Sequence, residues 1–386
     1  MGHRSWIGST AIGGLAALAA AASVTAAETA PETALGKLAA ALDPGQMKEL
    51  KTQGYNRDLL KSWYDWDHDE KGTRVYGAQK MFNIMHSWGN DGKWDPQTRR
   101  ILYLNGGHYA AFKFVTYSAD DNRWTLEPVP PWLDPRSDKQ DAGRWPRSKA
   151  GNKSWPRGHT YDCNAIYPGT RLYALTLWSK LRLYDIDKKE WLPSVKGFRT
   201  NSGGPCEAFP EMGGFVAFSR PRQLCLYDPD KKKKRDLGRV PLGIHGIMEY
   251  NPVHKVVLVG GGDSGEPYTK ALSLVDADGK VKRLKSLPVH VNCTPTSKAM
   301  CDPVSGEYIF QEYLSGKGRK GGRKPRVFAL HPILDEWKEI PNRRFPSGVA
   351  VAVDTYGVIV FCTGGKVFVY KHRPVWPEDA TTPTAE

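Results

Sequence analysis

The stretch "IYPGTRLYALTLWSKLRLYDIDKKEW" (Ile166–Trp191) decides the fold. It contains a Pro-Gly turn, an apolar run, a second short turn, and another apolar run that ends in Tyr-Asp. Short apolar runs separated by turn residues are typical of antiparallel β-strands joined by hairpins. With the residues before the turn, and with the outer strand near the Trp, the stretch predicts a small sheet of four strands.

The same phrase recurs along the chain, as "WDPQTRRILYL", "FPEMGGFVAF", "YNPVHKVVLV", "CDPVSGEYIF" and "VDTYGVIVF". The six turns fall at matching positions: Pro96, Pro168, Glu211, Pro252, Pro303 and Thr355. Four strands in units of about 40 to 50 residues are typical of propeller blades. We therefore predict an all-β protein with a single β-propeller of six blades. We expect "LLKSWYDWDHD" (59–69) to close the ring by pairing with the short last blade; a degenerate seventh blade over 55–85 is the alternative.

The stretch "ILYLNGGHYAAFKFVTYSADDNRW" (101–124) has an apolar strand, a glycine pair (Gly106 and Gly107), Tyr117 and Trp124 in that order. Because of this order, the chain resembles Kelch-type β-propellers over about residues 85 to 372. The resemblance implies the fold but says little about activity, since one fold hosts many functions.

The ends of the chain carry different signals. Residues 1–27 combine Arg4, an Ala-rich apolar run and "SVTAA", which predicts a signal peptide and a secreted or periplasmic protein. Residues 28–54 have helical spacing and predict a helical or disordered lead-in, whereas 375–386 predict a disordered tail after a propeller over 55–374. No run is apolar enough to predict a membrane span, and we expect a monomer.

The charge of the chain points to anionic partners. Its formal net charge is +14, and six basic side chains lie between Lys317 and Arg326. A basic exported protein attracts acidic polysaccharides, whereas nucleic-acid motifs are absent from the sequence. We therefore expect an anionic polysaccharide or oligosaccharide as the partner, and no nucleic acid.

The order of strands in a blade predicts which loops share a face. The loop that enters the innermost strand and the loop that joins the second and third strands open on one face, where propeller enzymes carry their active sites. We call it the loop face. Candidate substrate-binding residues predicted on it are His108, Tyr109, Trp178, Arg220, Arg222, Tyr268, Lys317, Arg319, Lys320 and Arg323.

Three residues on this face are candidates for catalysis: His159, Tyr161 and His245. A basic face with His and Tyr is similar in architecture and residue types to β-propeller uronate lyases. That resemblance implies β-elimination, in which an Arg, a Lys or a metal neutralises the carboxylate, a His or Tyr removes the adjacent proton, and a Tyr or His protonates the leaving oxygen. Here His159 or His245 would be the base, and Tyr161 the acid.

Other functions remain open on the sequence. A non-catalytic glycan- or protein-binding module has the same charge, and a glycosidase could use Asp91, Asp162, Glu207 or Asp263 as its carboxylates. No cofactor is required by the elimination chemistry. A divalent metal (calcium, manganese or zinc) held by His86, His159 and His245 is an alternative that the resemblance to oligogalacturonate lyases implies.

Overall fold

A computed structural model describes most of the chain. The described residues are 33–54, 59, 90–105, 113–128, 130–132, 160–198, 204–263, 265–314, 321–363 and 365–377. They contain one short α-helix, α1 (Ala34–Ala40), and 25 β-strands in six antiparallel sheets. None of the described helices is long and apolar enough to cross a membrane.

The first three sheets follow each other along the chain. The first consists of β2 (Lys93–Asp95), β3 (Arg100–Asn105), β4 (Lys113–Ser118) and β5 (Arg123–Leu126). The second contains β6 (Asn164–Tyr167), β7 (Leu172–Leu177) and β8 (Lys180–Asp185), with β9 (Glu190–Trp191) and β10 (Val195–Lys196) paired to β8. The third consists of β11 (Glu207–Phe209), β12 (Gly214–Arg220), β13 (Gln223–Asp228) and β14 (Lys233–Arg239).

The other three sheets complete the series. The fourth consists of β15 (Ile247–Asn251), β16 (Val256–Gly260), β17 (Leu272–Val275) and β18 (Val281–Arg283). The fifth consists of β19 (Lys298–Cys301), β20 (Tyr308–Gln311), β21 (Val327–His331) and β22 (Glu336–Glu339). The sixth contains β23 (Val349–Val353), β24 (Val358–Thr363) and β25 (Lys366–Tyr370), and its outer strand is β1 (Met47–Leu50).

The six sheets are the blades of one propeller, as the sequence predicts. Each innermost strand contacts that of the next blade, in the order β2, β6, β11, β15, β19 and β23, and β23 contacts β2 again. The chain thus forms a closed ring of six, with a central channel between the innermost strands. The alternative of a seventh blade is wrong for this ring, because the first and sixth blades are direct neighbours; residues 55–85 themselves lie outside the described residues apart from Leu59.

The strand that closes the ring differs from the predicted one. An N-terminal strand does pair with the last blade, but it is β1, whose Met47 lies opposite Tyr370 and whose Leu50 lies opposite Val367. The predicted closing stretch 59–69 lies outside the described residues apart from Leu59. The lead-in therefore contributes a strand to the propeller as well as α1, which begins after an N-cap at Thr33.

The recurring turn of the sequence forms the hairpin between the first and second strands of every blade. Each hairpin includes one residue in the left-handed conformation: Arg99, Arg171, Gly213, Lys255, Gly306 or Gly357. The apolar run after it is buried on both sides between neighbouring blades, which explains why these strands read as continuous apolar sequence. Tyr117 and Trp124 pack together, with ring centroids 5.1 Å apart. All six cysteines lie in the described part of the chain and are buried, and none forms a disulfide.

Candidate functional site

Three backbone segments lie side by side on the loop face, where the fourth blade meets the fifth. They precede β15, follow β16 and precede β19. Backbone hydrogen bonds join them, from Gly243 N to Gly261 O (2.9 Å), Asp263 N to Ile244 O (2.6 Å), Gly262 N to Val291 O (2.9 Å) and Cys293 N to His245 O (2.9 Å). These bonds make a rigid platform for the side chains of His245, Asp263, His290 and Asn292.

The platform depends on glycine. Gly262 has a φ of +108°, and a Cβ atom there would lie 2.5 Å from the carbonyl oxygen of Ile244. Any other residue at 262 would therefore separate two of the segments. His245 is itself in the left-handed conformation, with a φ of 60°. Backbone strain of this kind costs energy and is common at functional sites.

Asp263 is the centre of the site. Its Oδ2 atom lies 2.6 Å from His245 Nδ1 and its Oδ1 atom lies 2.9 Å from His290 Nε2, and Oδ1 accepts a hydrogen bond from Asn292 Nδ2 (2.9 Å). Burial alone would raise the pKa of Asp263, but its contacts with His245, His290 and Asn292 lower it well below its ordinary value. Asp263 is therefore a carboxylate that orients two imidazoles.

His290 is the more exposed of the two imidazoles. Its side chain is 33% exposed, compared with 19% for His245. The Nε2–H group of His290 donates to the carbonyl oxygen of Gly262 (2.9 Å) and also lies 2.9 Å from Asp263 Oδ1, and no described residue is hydrogen-bonded to Nδ1. The interaction with Asp263 raises the pKa of His290 above its ordinary value, against the effect of burial. In its neutral form His290 thus presents Nδ1 as a base.

Tyr161 and His245, two of the residues predicted on the loop face, lie side by side in the structure. Tyr161 precedes the innermost strand of the second blade, yet its ring centroid lies 4.6 Å from that of His245 in the fourth. Tyr161 is fully buried, and burial raises the pKa of its phenol well above the ordinary value. It packs against the His245 imidazole from inside the channel.

The channel next to this site holds a cluster of charges. Lys93 Nζ lies 3.0 Å from Asp91 Oδ2, 2.6 Å from Glu207 Oε2 and 3.9 Å from Glu249 Oε2. Asp162, the residue after Tyr161, accepts a hydrogen bond from Met248 N (2.6 Å). At the opposite mouth, a cavity of about 140 Å³ reaches this cluster and is lined by Lys93, Glu207, Glu249 and the turn prolines Pro96, Pro168, Pro210, Pro252 and Pro303.

Burial dominates the protonation of this cluster. It raises the pKa values of Asp162 and Glu249 to about 8, and that of Asp91 well above its ordinary value. The pKa of Lys93 is also raised, because the carboxylates outweigh the burial that would lower it. At neutral pH the cluster therefore holds protons as well as the ammonium of Lys93.

One group of described residues has the spacing of a metal site. Oxygen atoms of Asp91, Asp162 and Glu249 lie within 4.8 Å of one another, and oxygen-rich sites of this type suit calcium or manganese. The ammonium of Lys93 already lies beside Asp91. Of the three histidines predicted to hold a metal, His86 and His159 lie outside the described residues, and His245 is bound to Asp263.

The predicted substrate-binding residues divide into separate groups. The Arg222 guanidinium lies 3.6 Å from the ring centroid of Tyr268 and donates to its hydroxyl (2.7 Å), in the loop that also carries Asp263. Trp178 instead packs on Trp132, with ring centroids 5.8 Å apart, so its role is at least partly structural.

The remaining candidates lie apart from the His-Asp-His platform or outside the described residues. Arg220 is exposed at the end of β12. Arg323 is bonded to Glu312 in the fifth blade (2.8 Å). The candidates outside the described residues are His108, Tyr109, His159, Lys317, Arg319 and Lys320.

His290 and Asn292 were missed by the sequence reasoning, although a signal was present. They stand two residues apart in "PVHVNC", in the segment that leads into β19, the innermost strand of the fifth blade, and His245 likewise lies in the segment that leads into β15. Residues two apart in an extended segment point to the same side. Asp263 was named only as a possible glycosidase carboxylate, and its link to two histidines was not predicted.

Comparisons with known proteins leave the function open. No protein-family model and no curated protein matches the chain. Among solved structures, it is similar to the Kuenenia stuttgartiensis hydrazine synthase structure (11% identity, TM-score 0.44, covering 71% of this chain and 73% of that one). It is also similar to a nidogen/laminin complex (11% identity, TM-score 0.45, covering 69% and 85%). Likenesses this weak carry no argument about function, and the Kelch type stays a prediction.

Proposed function

We propose that this protein is an exported acid–base enzyme that cleaves an acidic, uronate-containing glycan by β-elimination. The observation that carries the proposal is the Asp263 carboxylate, which holds His245 and His290 while Nδ1 of His290 has no described partner. A carboxylate that fixes the tautomer and orientation of an imidazole is the arrangement by which enzymes make histidine a general base.

His290 would act as both base and acid. Its Nδ1 atom removes the proton from the carbon next to the uronate carboxylate. The electron pair of that C–H bond forms the new double bond, and the glycosidic oxygen leaves with the electrons of its C–O bond. The imidazolium, stabilised by Asp263, then returns the proton to the leaving oxygen, so that the imidazole ends neutral.

This mechanism revises the predicted roles of two residues. Tyr161 is fully buried, so a glycan does not reach its hydroxyl in this conformation. We therefore assign Tyr161 to support of the His245 ring, with which it is in contact, and we assign His245 to holding the second oxygen of Asp263. Both act as positioning residues.

Neutralisation of the substrate carboxylate falls to Arg222. Its guanidinium is held against the ring of Tyr268, which lies in the loop that carries Asp263. One N–H group of the guanidinium donates to the Tyr268 hydroxyl. The remaining N–H groups of a guanidinium fork suit a carboxylate. A neutralised carboxylate makes the adjacent C–H bond more acidic, which the elimination requires.

The test is incubation of the mature protein with polygalacturonate, alginate, ulvan and glucuronan, followed by the ultraviolet absorbance of unsaturated uronates. We expect activity on at least one polymer, and a loss of about a hundredfold or more in His290→Ala, as for a lost general base. His254→Ala, in the β15–β16 turn on the opposite face, is the matched control. Binding without cleavage would instead identify a glycan-binding module.

A further inference from the structure

A second cavity opens on the loop face, between the fifth and sixth blades. It has a volume of about 310 Å³, within the size range of small-ligand sites. Its walls come from the segment before β19, the end of β20, the loop before β21 and the segment before β23. The residues that line it include Glu312, Arg323, Lys324, Arg344, Gln311 and Phe345.

The charge of this cavity is positive. Arg323, Lys324 and Arg344 line it, and all three are exposed. Its carboxylate, Glu312, is buried and already bonded: Oε1 accepts from Arg323 Nη2 (2.8 Å), and Oε2 accepts from Arg326 N (3.2 Å). Lys324 and Arg344 form no ion pair with any residue in the described part of the chain. Two cations are thus left for a ligand.

The floor of the cavity is fixed before any ligand binds. The side-chain oxygen of Gln311 accepts a hydrogen bond from Phe345 N (2.7 Å), and its amide group donates to Thr296 O (3.1 Å). Phe345 is buried and stacks on Phe361, with ring centroids 5.1 Å apart and planes at 17°. A preformed floor lowers the ordering cost of binding.

We propose that this cavity is a subsite for the carboxylate of a uronate unit on the same glycan chain, apart from the unit that is cleaved. The proposal rests on the proposed function, since it names the substrate feature that the loop face recognises away from His290. Arg344 supplies a planar fork of donors that matches a carboxylate, and Lys324 supplies a second positive charge. The described end of the predicted basic loop, Arg323 and Lys324, is then part of a binding site.

The test is isothermal titration of the His290→Ala protein with an oligogalacturonate and with its methyl ester, which has a similar shape and no charge. In that background, Lys324→Gln with Arg344→Gln should weaken oligogalacturonate binding at least about tenfold, because two charge-assisted contacts are lost. Lys282→Gln with Arg283→Gln, on the outer strand β18, removes the same charge elsewhere and should change affinity about twofold or less.

Three results of the titration would contradict the proposed subsite: equal affinity of the two double variants, equal binding of the acid and its methyl ester, or tighter binding of a sulfated galactan that lacks uronate. Because the titration needs no turnover, its outcome is separate from that of the cleavage assay. A protein that binds through the cavity and cleaves nothing would refute the proposed function alone. A protein that cleaves with an unchanged KM in the Lys324/Arg344 variant would refute the subsite alone.

Discussion

Replacing Asp263 by Asn tests the chemistry of the platform without removing either histidine. The Asp263 carboxylate lies 2.6 Å from His245 Nδ1 and 2.9 Å from His290 Nε2, and it accepts a hydrogen bond from Asn292 Nδ2 (2.9 Å). Asparagine keeps one of the two acceptor oxygens, but an NH₂ group replaces the other oxygen and cannot accept a hydrogen bond from the donor that faces it. Hydrogen bonds to a charged group contribute about 1.5–3 kcal/mol each. Because the Asp263 side chain is 31% exposed, water can replace part of the lost hydrogen bonding. We therefore expect the substitution to lower the free energy of unfolding by about 1–2 kcal/mol.

The effect on His290 is the more specific part of this prediction. The interaction with Asp263 is the main reason that the pKa of His290 is raised, so Asp263→Asn should lower this pKa. We expect an NMR titration of the His290 ring protons to move to lower pH. The low-pH limb of the turnover profile should move with it, and turnover should fall about a hundredfold or more, since the base loses its orientation.

Asp236→Asn, on the exposed strand β14, is the control for this experiment. It should leave the free energy of unfolding, the His290 titration and the turnover unchanged. A purely structural role for Asp263 would alter stability while leaving the His290 titration in place. An Asp263→Asn protein with the wild-type pKa at His290 and wild-type turnover would refute the reasoning.

Two predictions concern the ring and its channel. Leu50→Ala should lower the free energy of unfolding in urea by about 2–5 kcal/mol, because Leu50 is buried on the closing strand. Lys51→Ala, at an exposed position, should lower it by about 0.5 kcal/mol or less. Equal effects would show that the closing strand contributes little to stability. Burial raises the pKa values of Asp162 and Glu249 to about 8 in the folded protein. In the unfolded chain, carboxyl groups release their protons above a pKa of about 4. The folded state therefore binds more protons between about pH 4 and about pH 8, and the free energy of unfolding should fall as pH rises through this range. Glu249→Gln should reduce this slope by up to about 1.4 kcal/mol per pH unit, and an unchanged slope in urea unfolding at several pH values would contradict the assignment.

The blade architecture could be predicted because every blade repeats the same local information. A turn that includes a left-handed residue, followed by a strand buried on both sides, leaves a period in the sequence that needs no tertiary knowledge. The closing strand could not be found in this way. Of the four residues in "MKEL" only Leu50 is buried, so its apolar signal is weaker than that of the aromatic stretch 59–69.

The candidate site could be predicted only in part. Topology brings Tyr161 and His245 together from alternate blades; the strand order places both on the loop face, but it does not predict the contact between their rings. His290 lies farther ahead of its innermost strand, β19 (Lys298–Cys301), than His245 lies ahead of β15 (Ile247–Asn251), so the strand pattern indicates its position less directly. The Lys93 cluster joins side chains from four blades, and their distances depend on the width of the channel, which no single repeat encodes.

Mass spectrometry of the products formed from the cleaved uronate polymer tests the central claim most directly. Elimination breaks the chain without adding water, so each new non-reducing end should be lighter by one water than the product of hydrolysis. We expect such ends from the wild-type protein, and about a hundredfold fewer of them from His290→Ala at equal protein concentration. Products that carry the added water, or equal yields from the two proteins, would contradict the account.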